Sequence, residues 1–126
     1  VKSGNPAAIA RWTALSATER RVDWISGSCM LLRIEPLRAV GGFDERYFLY
    51  EEDADLCLRL RLAGYAVVFT PEARVIHALG TTMAKMSGRA REAYDRSHRL
   101  YYRLHRNALE RFALEAMLFA KSLGRR

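Results

Sequence analysis

Phe48-Leu49-Tyr50-Glu51-Glu52-Asp53-Ala54-Asp55-Leu56-Cys57-Leu58-Arg59-Leu60-Arg61 places four carboxylates within five residues, after an aromatic lead-in and before a helical pattern. Leu56, Leu60 and Ala63 recur at i, i+4 and i+7, so they share one helix face, and Gly64 follows where such a helix would end. The acids therefore sit at a helix N-terminus. Acidic side chains in a first turn cap free N–H groups and complement the helix dipole. Asp55 and Arg59 stand at i, i+4 with the acid first, the favourable order for a surface pair. Capping accounts for Glu51, Asp55 and Arg59. It accounts less well for Glu52 and Asp53 together, because adjacent carboxylates repel and one cap serves one helix. Closely spaced acids beside aromatics shift each other's proton affinity, which is one way to build a general base or a metal site.

Upstream, residues 1–21 are weakly patterned: Ser3-Gly4-Asn5-Pro6 reads as a loop, and Ala7 to Leu15 as a short helix. Val22 to Ile34 holds a short, nearly continuous apolar run that reads as a buried strand. Within it, Gly27 marks either a bulge or a close approach of backbone to a ligand or another chain. Glu35 to Val40 reads as a short helix with Pro36 in its first turn, ended by Gly41-Gly42. Downstream, Tyr65 to Phe69 and Arg74 to Ala78 read as strands separated by a turn at Thr70-Pro71-Glu72. Residues 87–123 read as mostly helix.

Composition bounds the remainder. The chain of 126 residues, 50% hydrophobic, is one domain or part of one, and starts at Val1 as an excised or processed piece would. No uncharged apolar run approaches the length of a membrane span. Cys29 and Cys57 read as buried free thiols in a reducing compartment rather than a disulfide or metal pair. The net charge of +7 is carried by residues 85–126, whereas residues 1–84 are neutral with 10 basic and 10 acidic residues. A basic helical segment of that kind suits phosphate-rich partners, either nucleic acid or an anionic membrane surface.

Tyr50 through Arg59 resembles the acidic motif of family 2 glycosyltransferases, the inverting nucleotide-sugar enzymes of GT-A fold, and most nearly their rhamnosyltransferase-like branch. The resemblance extends to Val22-Asp23-Trp24-Ile25-Ser26-Gly27-Ser28-Cys29-Met30-Leu31-Leu32-Arg33, to Val40-Gly41-Gly42-Phe43-Asp44-Glu45, to Gly64-Tyr65 with Thr70-Pro71-Glu72-Ala73, and to Val75-Ile76-His77. It covers nearly all of residues 22–80, in the expected order, and corresponds to the second half of the family's catalytic domain.

The resemblance implies an α/β chain: a partial GT-A domain of a few strands with flanking helices, then a mostly helical C-terminal segment. Its divisions are a connecting segment over 1–21, the acceptor-side and catalytic-base half over 22–84, and a basic helical extension over 85–126. By the family motif Asp53 is the general base, with Glu52 orienting it or binding an acceptor hydroxyl. Trp24, Gly27 and Ser28 border the sugar and acceptor pocket, although Trp24 would equally serve as plain core packing. His77 matches a family histidine that joins an upstream Asp-x-Asp motif in holding a divalent ion, Mg or Mn, in the complete enzyme. That motif is not in this chain, and Asp53-Ala54-Asp55 falls inside the later acidic motif, so no complete metal site is expected here.

The function implied is transfer of a sugar, rhamnose by branch, from a nucleotide sugar to a polysaccharide or lipid-linked acceptor with inversion, as in cell-wall or polysaccharide biosynthesis. Lacking the donor-binding half, the chain alone is expected to be inactive. The expected location is the cytoplasm or, peripherally, the cytoplasmic membrane face. Residues 108–126 form an apolar helix with basic flanks, suited to packing on the catalytic body and to an anionic membrane surface. A half-domain also exposes surface through which a homodimer could form. The rival is a non-catalytic membrane- or nucleic-acid-binding module using the basic segment. Nucleic acid leaves residues 22–80 without a role.

Overall fold

The computed structural model describes residues 5–76 and 87–124, with the backbone alone for 87–89. In chain order the elements are α1 (Pro6–Leu15), β1 (Arg20–Arg21), a 3-10 turn (Gly27–Cys29), α2 (Ile34–Ala39), α3 (Glu52–Leu62), β2 (Val68–Phe69), α4 (Ser87–His105) and α5 (Ala108–Leu123). The chain is mixed but helix-rich. Its described sheet is a two-residue antiparallel ladder that pairs Arg20 with Phe69 and Arg21 with Val68. The Val22 N–H extends it by donating to the Val67 carbonyl at 3.0 Å.

The helices start and stop for local reasons. α1 begins with Asn5 accepting from the Ala7 N–H, and Pro6 sits in the first turn, where its missing donor is not needed. α2 runs out at Gly41 and Gly42, which take φ of 79° and 77°, and α3 at Gly64 with φ of 86°. These are left-handed conformations that only glycine adopts freely. α5 opens with a complete capping box, in which Asn107 and Glu110 each accept from the other's backbone N–H.

Burial concentrates on α3 and on the seam between α4 and α5. Leu56, Cys57 and Leu60 of α3 are buried, as are Tyr47 and Val67. Ala63, expected to share that face, is exposed because the helix has already ended at Leu62. On the second side, Ala90, Ala93 and Ser97 of α4 and Leu114 and Leu118 of α5 are buried. α5 is also apolar on its outer face, where Leu109, Phe112, Phe119 and Leu123 stay exposed.

Three expectations are corrected here. Val22 to Ile34 is not a buried strand: Ser26 accepts from the Ser28 N–H and winds the segment into a 3-10 turn, and Leu31 is 97% exposed. An apolar run becomes a strand only where another strand pairs with it, and among the described residues none does. Of Tyr65 to Phe69, only Val68 and Phe69 pair, and Arg74 to Ile76 form no strand; Ala78 lies outside the described residues. Cys29, expected to be buried, is exposed on that same 3-10 turn, whereas Cys57 is buried and free. Burial pushes the Cys57 thiol up, so it stays protonated and unreactive.

Candidate active site

The acidic stretch enters α3 through an unusual backbone. Tyr50 and Glu51 take φ of 66° and 69°, left-handed conformations that cost non-glycine residues of order 1–3 kcal/mol each. Glu51 occupies the N-cap position of α3, but its side chain makes no capping bond. Its carboxylate instead accepts from Nδ1 of His98 on α4. The acids therefore do more than cap.

Asp53 is held from two sides. Its Oδ2 accepts from the Gly27 N–H at 2.8 Å, and its Oδ1 from the Ala54 N–H at 2.8 Å. Each oxygen keeps a second lone pair free for a hydroxyl. A side-chain carbon on Gly27 would stand 3.6 Å from Cβ of Asp53, so the turn passes close over this carboxylate. Gly27 is thus a place of close backbone approach, and what it approaches is Asp53. Ser28 is exposed beside it, its hydroxyl donating to Oγ of Ser26 at 3.0 Å. Trp24 is half-exposed rather than core, leaving its ring face open to solvent on the same segment. Glu52 is half-buried, and its Oε2 is buried with no hydrogen-bond partner among the described residues. An unpaired buried carboxylate oxygen is costly and marks a place where a donor can be received.

Asp55 behaves differently from the surface pair that its spacing suggests. It is 1% exposed. Its Oδ2 accepts from Nε of Arg59 at 2.7 Å, and its Oδ1 accepts from Nε2 of His105 at 2.6 Å and from the Tyr47 hydroxyl at 3.4 Å. Arg59 spends its other donors on the carbonyls of Val40 and Gly42, at 2.7 and 2.9 Å. Burial, followed by the charge of Asp55, pushes the Tyr47 phenol well up, so it remains a donor. Three donors from the protein itself converge on the buried Asp55 carboxylate. This buried network ties the α2 terminus, α3 and α4 together.

Ser97, His98 and His105 lie outside every candidate drawn from the sequence, yet all three touch the acidic stretch; Ser97 donates to the Leu49 carbonyl at 2.7 Å. The signal available was the seven-residue spacing of His98 and His105, which puts both on one face of α4. His77 lies outside the described residues. Among the described residues, no three His, Cys, Asp or Glu side chains are grouped to hold a metal ion. The described side chains alone do not fit the divalent ion that the resemblance implies, and the residue it assigns to that ion, His77, is not among them.

Residues 9–124 match the family profile described as "Glycosyl transferase family group 2". The chain belongs to that family. Within this glycosyltransferase family it is rhamnosyltransferase-like. It is 52% identical over 67 residues to the N-acetylglucosaminyl-diphospho-decaprenol L-rhamnosyltransferase of Mycobacterium tuberculosis (strain ATCC 25618 / H37Rv), covering 53% of this chain and 22% of that protein. It is also 52% identical over 56 residues to rhamnosyltransferase WbbL of Escherichia coli (strain K12), covering 44% of this chain and 21% of WbbL. With the succinoglycan biosynthesis protein ExoA of Rhizobium meliloti (strain 1021) the identity is 43% over 51 residues, covering 40% of this chain and 15% of ExoA. The glycosyltransferase-family chain thus spans about a fifth of the length of its rhamnosyltransferase relatives, 22% and 21%. No solved structure matches it significantly.

Proposed function

We propose that this chain is the acceptor-side part of an inverting glycosyltransferase of GT-A type, and that Asp53 is its general base. The observation that carries the proposal is the position of Asp53. Two backbone N–H groups fix the carboxylate, its remaining lone pairs are free, and the exposed Trp24-to-Ser28 segment lies beside it. The carboxylate sits against Gly27, and three residues upstream of Gly27 the exposed Trp24 offers an indole; both groups suit a sugar, which presents hydroxyls and apolar C–H faces.

In the step proposed, the acceptor hydroxyl oxygen attacks the anomeric carbon of a nucleotide sugar. The bond from that carbon to the nucleoside diphosphate breaks on the opposite side, and the hydroxyl proton passes to Asp53. One in-line displacement of this kind inverts the anomeric centre. General-base catalysis of this type contributes roughly 10²–10⁴-fold in rate. Glu52, next to Asp53 in the chain, orients that carboxylate or binds an acceptor hydroxyl. The mycobacterial relative's activity makes rhamnose the first donor sugar to try and N-acetylglucosaminyl-diphospho-decaprenol the first acceptor. No step is assigned to a divalent ion. The chain alone, without further donor-binding residues, is proposed to be inactive.

The deciding experiment compares the full-length protein with its Asp53→Asn variant. Release of nucleoside diphosphate is measured across a panel of nucleotide sugars with a lipid-linked acceptor, and donor binding is measured in parallel. Transfer by the wild type, with donor binding but no transfer by the variant, supports the assignment. Normal transfer by the variant sinks it.

The outer face of α5 favours a second, compatible role as a peripheral membrane contact. Leu109, Phe112, Phe119 and Leu123 are exposed there, the same helix carries Arg111 and Lys121, and no helix among the described residues is long and apolar enough to cross a membrane. Such a face binds anionic interfaces through buried apolar area plus charge. Sedimentation with anionic vesicles, lost on Phe112→Ser with Phe119→Ser, tests it. Equal sedimentation of both forms would remove it.

A further inference from the structure

The acidic loop is gripped by one face of α4. Ser97 donates to the Leu49 carbonyl, His98 to Glu51, and His105 to Asp55. A carboxylate only accepts, so each imidazole places its proton on the nitrogen that faces the acid: Nδ1 in His98 and Nε2 in His105. The rings are packed as well. His98 lies between Tyr94 and Tyr102, with ring centroids 5.4 and 5.2 Å away, and His105 lies 4.9 Å from Tyr101. Tyr94 in turn meets Tyr50 edge to face at 5.5 Å. These contacts bracket Tyr50 and Glu51, the two residues in left-handed conformations. Strain of that kind persists only where surrounding contacts over-determine it.

Resting on the assignment of Asp53 as base, we propose that His98 and His105 are positioning residues. They hold the strained turn and the first turn of α3, so that the Asp53 carboxylate is aimed at the acceptor hydroxyl under the Gly27 N–H. Neither histidine touches substrate; each acts through the acid it holds. Glu51 and Asp55 flank the Glu52-Asp53 pair, one on either side. A clamp on both flanks fixes the rotation of α3 about its axis, which decides where Asp53 points. The charged and titratable groups facing the clamp are Glu51, Tyr94 and Tyr102 on His98, and on His105 Asp55, with Arg59 and Tyr47 behind it, and Tyr101 with Arg106 over its ring.

The test uses the full-length protein and reads two signals: steady-state kinetics, and the Gly27 amide resonance in a glycine-labelled nitrogen-15 spectrum. The Gly27 N–H bonds to Asp53 directly, so its resonance reports carboxylate position independently of turnover. His98→Ala and His105→Ala are expected to shift the Gly27 resonance and to lower kcat by about 10-fold or more, with KM for donor within about 2-fold. His98→Asn and His105→Gln carry an amide N–H near the original donor nitrogen and are expected to restore both signals. Folded alanine variants with wild-type kcat, or a moved resonance with unchanged kcat, would overturn the proposal. If the alanine variants do not fold, His105→Gln is compared with His105→Asn, whose amide falls short of Asp55. A Gln variant like wild type beside an impaired Asn variant supports the clamp, and equal behaviour overturns it. Asp53→Asn separates the two ideas. Normal transfer by that variant rejects the base, whereas the Gly27 resonance in the histidine variants still judges the clamp.

Discussion

Gly27 and Asp53, 26 residues apart in sequence, are joined by a 2.8 Å hydrogen bond from the Gly27 N–H to the Asp53 carboxylate. The bond comes from the backbone, so the side chain at position 27 is secondary to the N–H itself. Gly27→Ala places its new carbon in ordinary contact with Asp53 and is expected to change stability by less than about 0.5 kcal/mol. Gly27→Pro stands at the first position of the 3-10 turn, after a Ser26 already in extended conformation, so the backbone suits it, but the donor is lost and ring Cδ, in place of the amide hydrogen, pushes the Asp53 carboxylate away. Pro is therefore expected to cost about 1–2 kcal/mol and to lower sugar transfer, with Ala close to wild type. Urea unfolding and turnover of the two variants check this.

Arg59 is the central donor of the buried network. Removing it leaves Asp55 with less charge compensation and the carbonyls of Val40 and Gly42 without their donor. Arg59→Ala is expected to destabilise the protein by about 3–5 kcal/mol, as breaking a buried pair does. Arg59→Lys is expected to recover only part of this, because one ammonium cannot reach all three acceptors. Thermal melts of both variants decide the point.

Leu56 is fully buried on the inner face of α3. Leu56→Ala is expected to cost about 2–5 kcal/mol, from lost transfer energy and the cavity left behind. Leu58, half-buried on the same helix, is expected to cost clearly less when changed to Ala. A denaturant midpoint for Leu58→Ala as low as that for Leu56→Ala would contradict the packing described.

Asp44 gives a pH signature. Its hydrogen bonds to the Arg46 guanidinium, at 2.9 and 2.6 Å, hold its carboxyl down from 3.8 to about 2. A depressed folded value stabilises the protein above the unfolded value, and that contribution is lost as pH falls through the folded one. The stability difference between wild type and Asp44→Asn should therefore be constant above pH 5 and shrink between pH 3.8 and about 2. Urea titrations at successive pH values measure it. A difference that grows as the solution is acidified would reverse the assignment.

The local grammar of this chain was legible in its residues. Asn5-Pro6, the glycines at 41, 42 and 64, and the apolar spacing on α3 set helix boundaries through caps and left-handed turns, which depend on near neighbours alone. The acidic stretch and the segments around it identified the family for the same reason: a motif is local. Asp55 was misjudged as a surface partner because i, i+4 spacing says nothing of what covers the pair. The apolar run after Trp24 was misjudged because a strand needs a partner from elsewhere in the chain. The spacing of His98 and His105 set both on one helix face but said nothing of what that face meets, since only the packing of α4 against the acidic loop brings them within hydrogen-bond reach. Sequence by itself determined the helices, the family and the carboxylates proposed to carry the chemistry. Tertiary structure decided which carboxylate is free to act, because burial and distant donors occupy Asp55 and Glu51 and leave lone pairs open on Asp53.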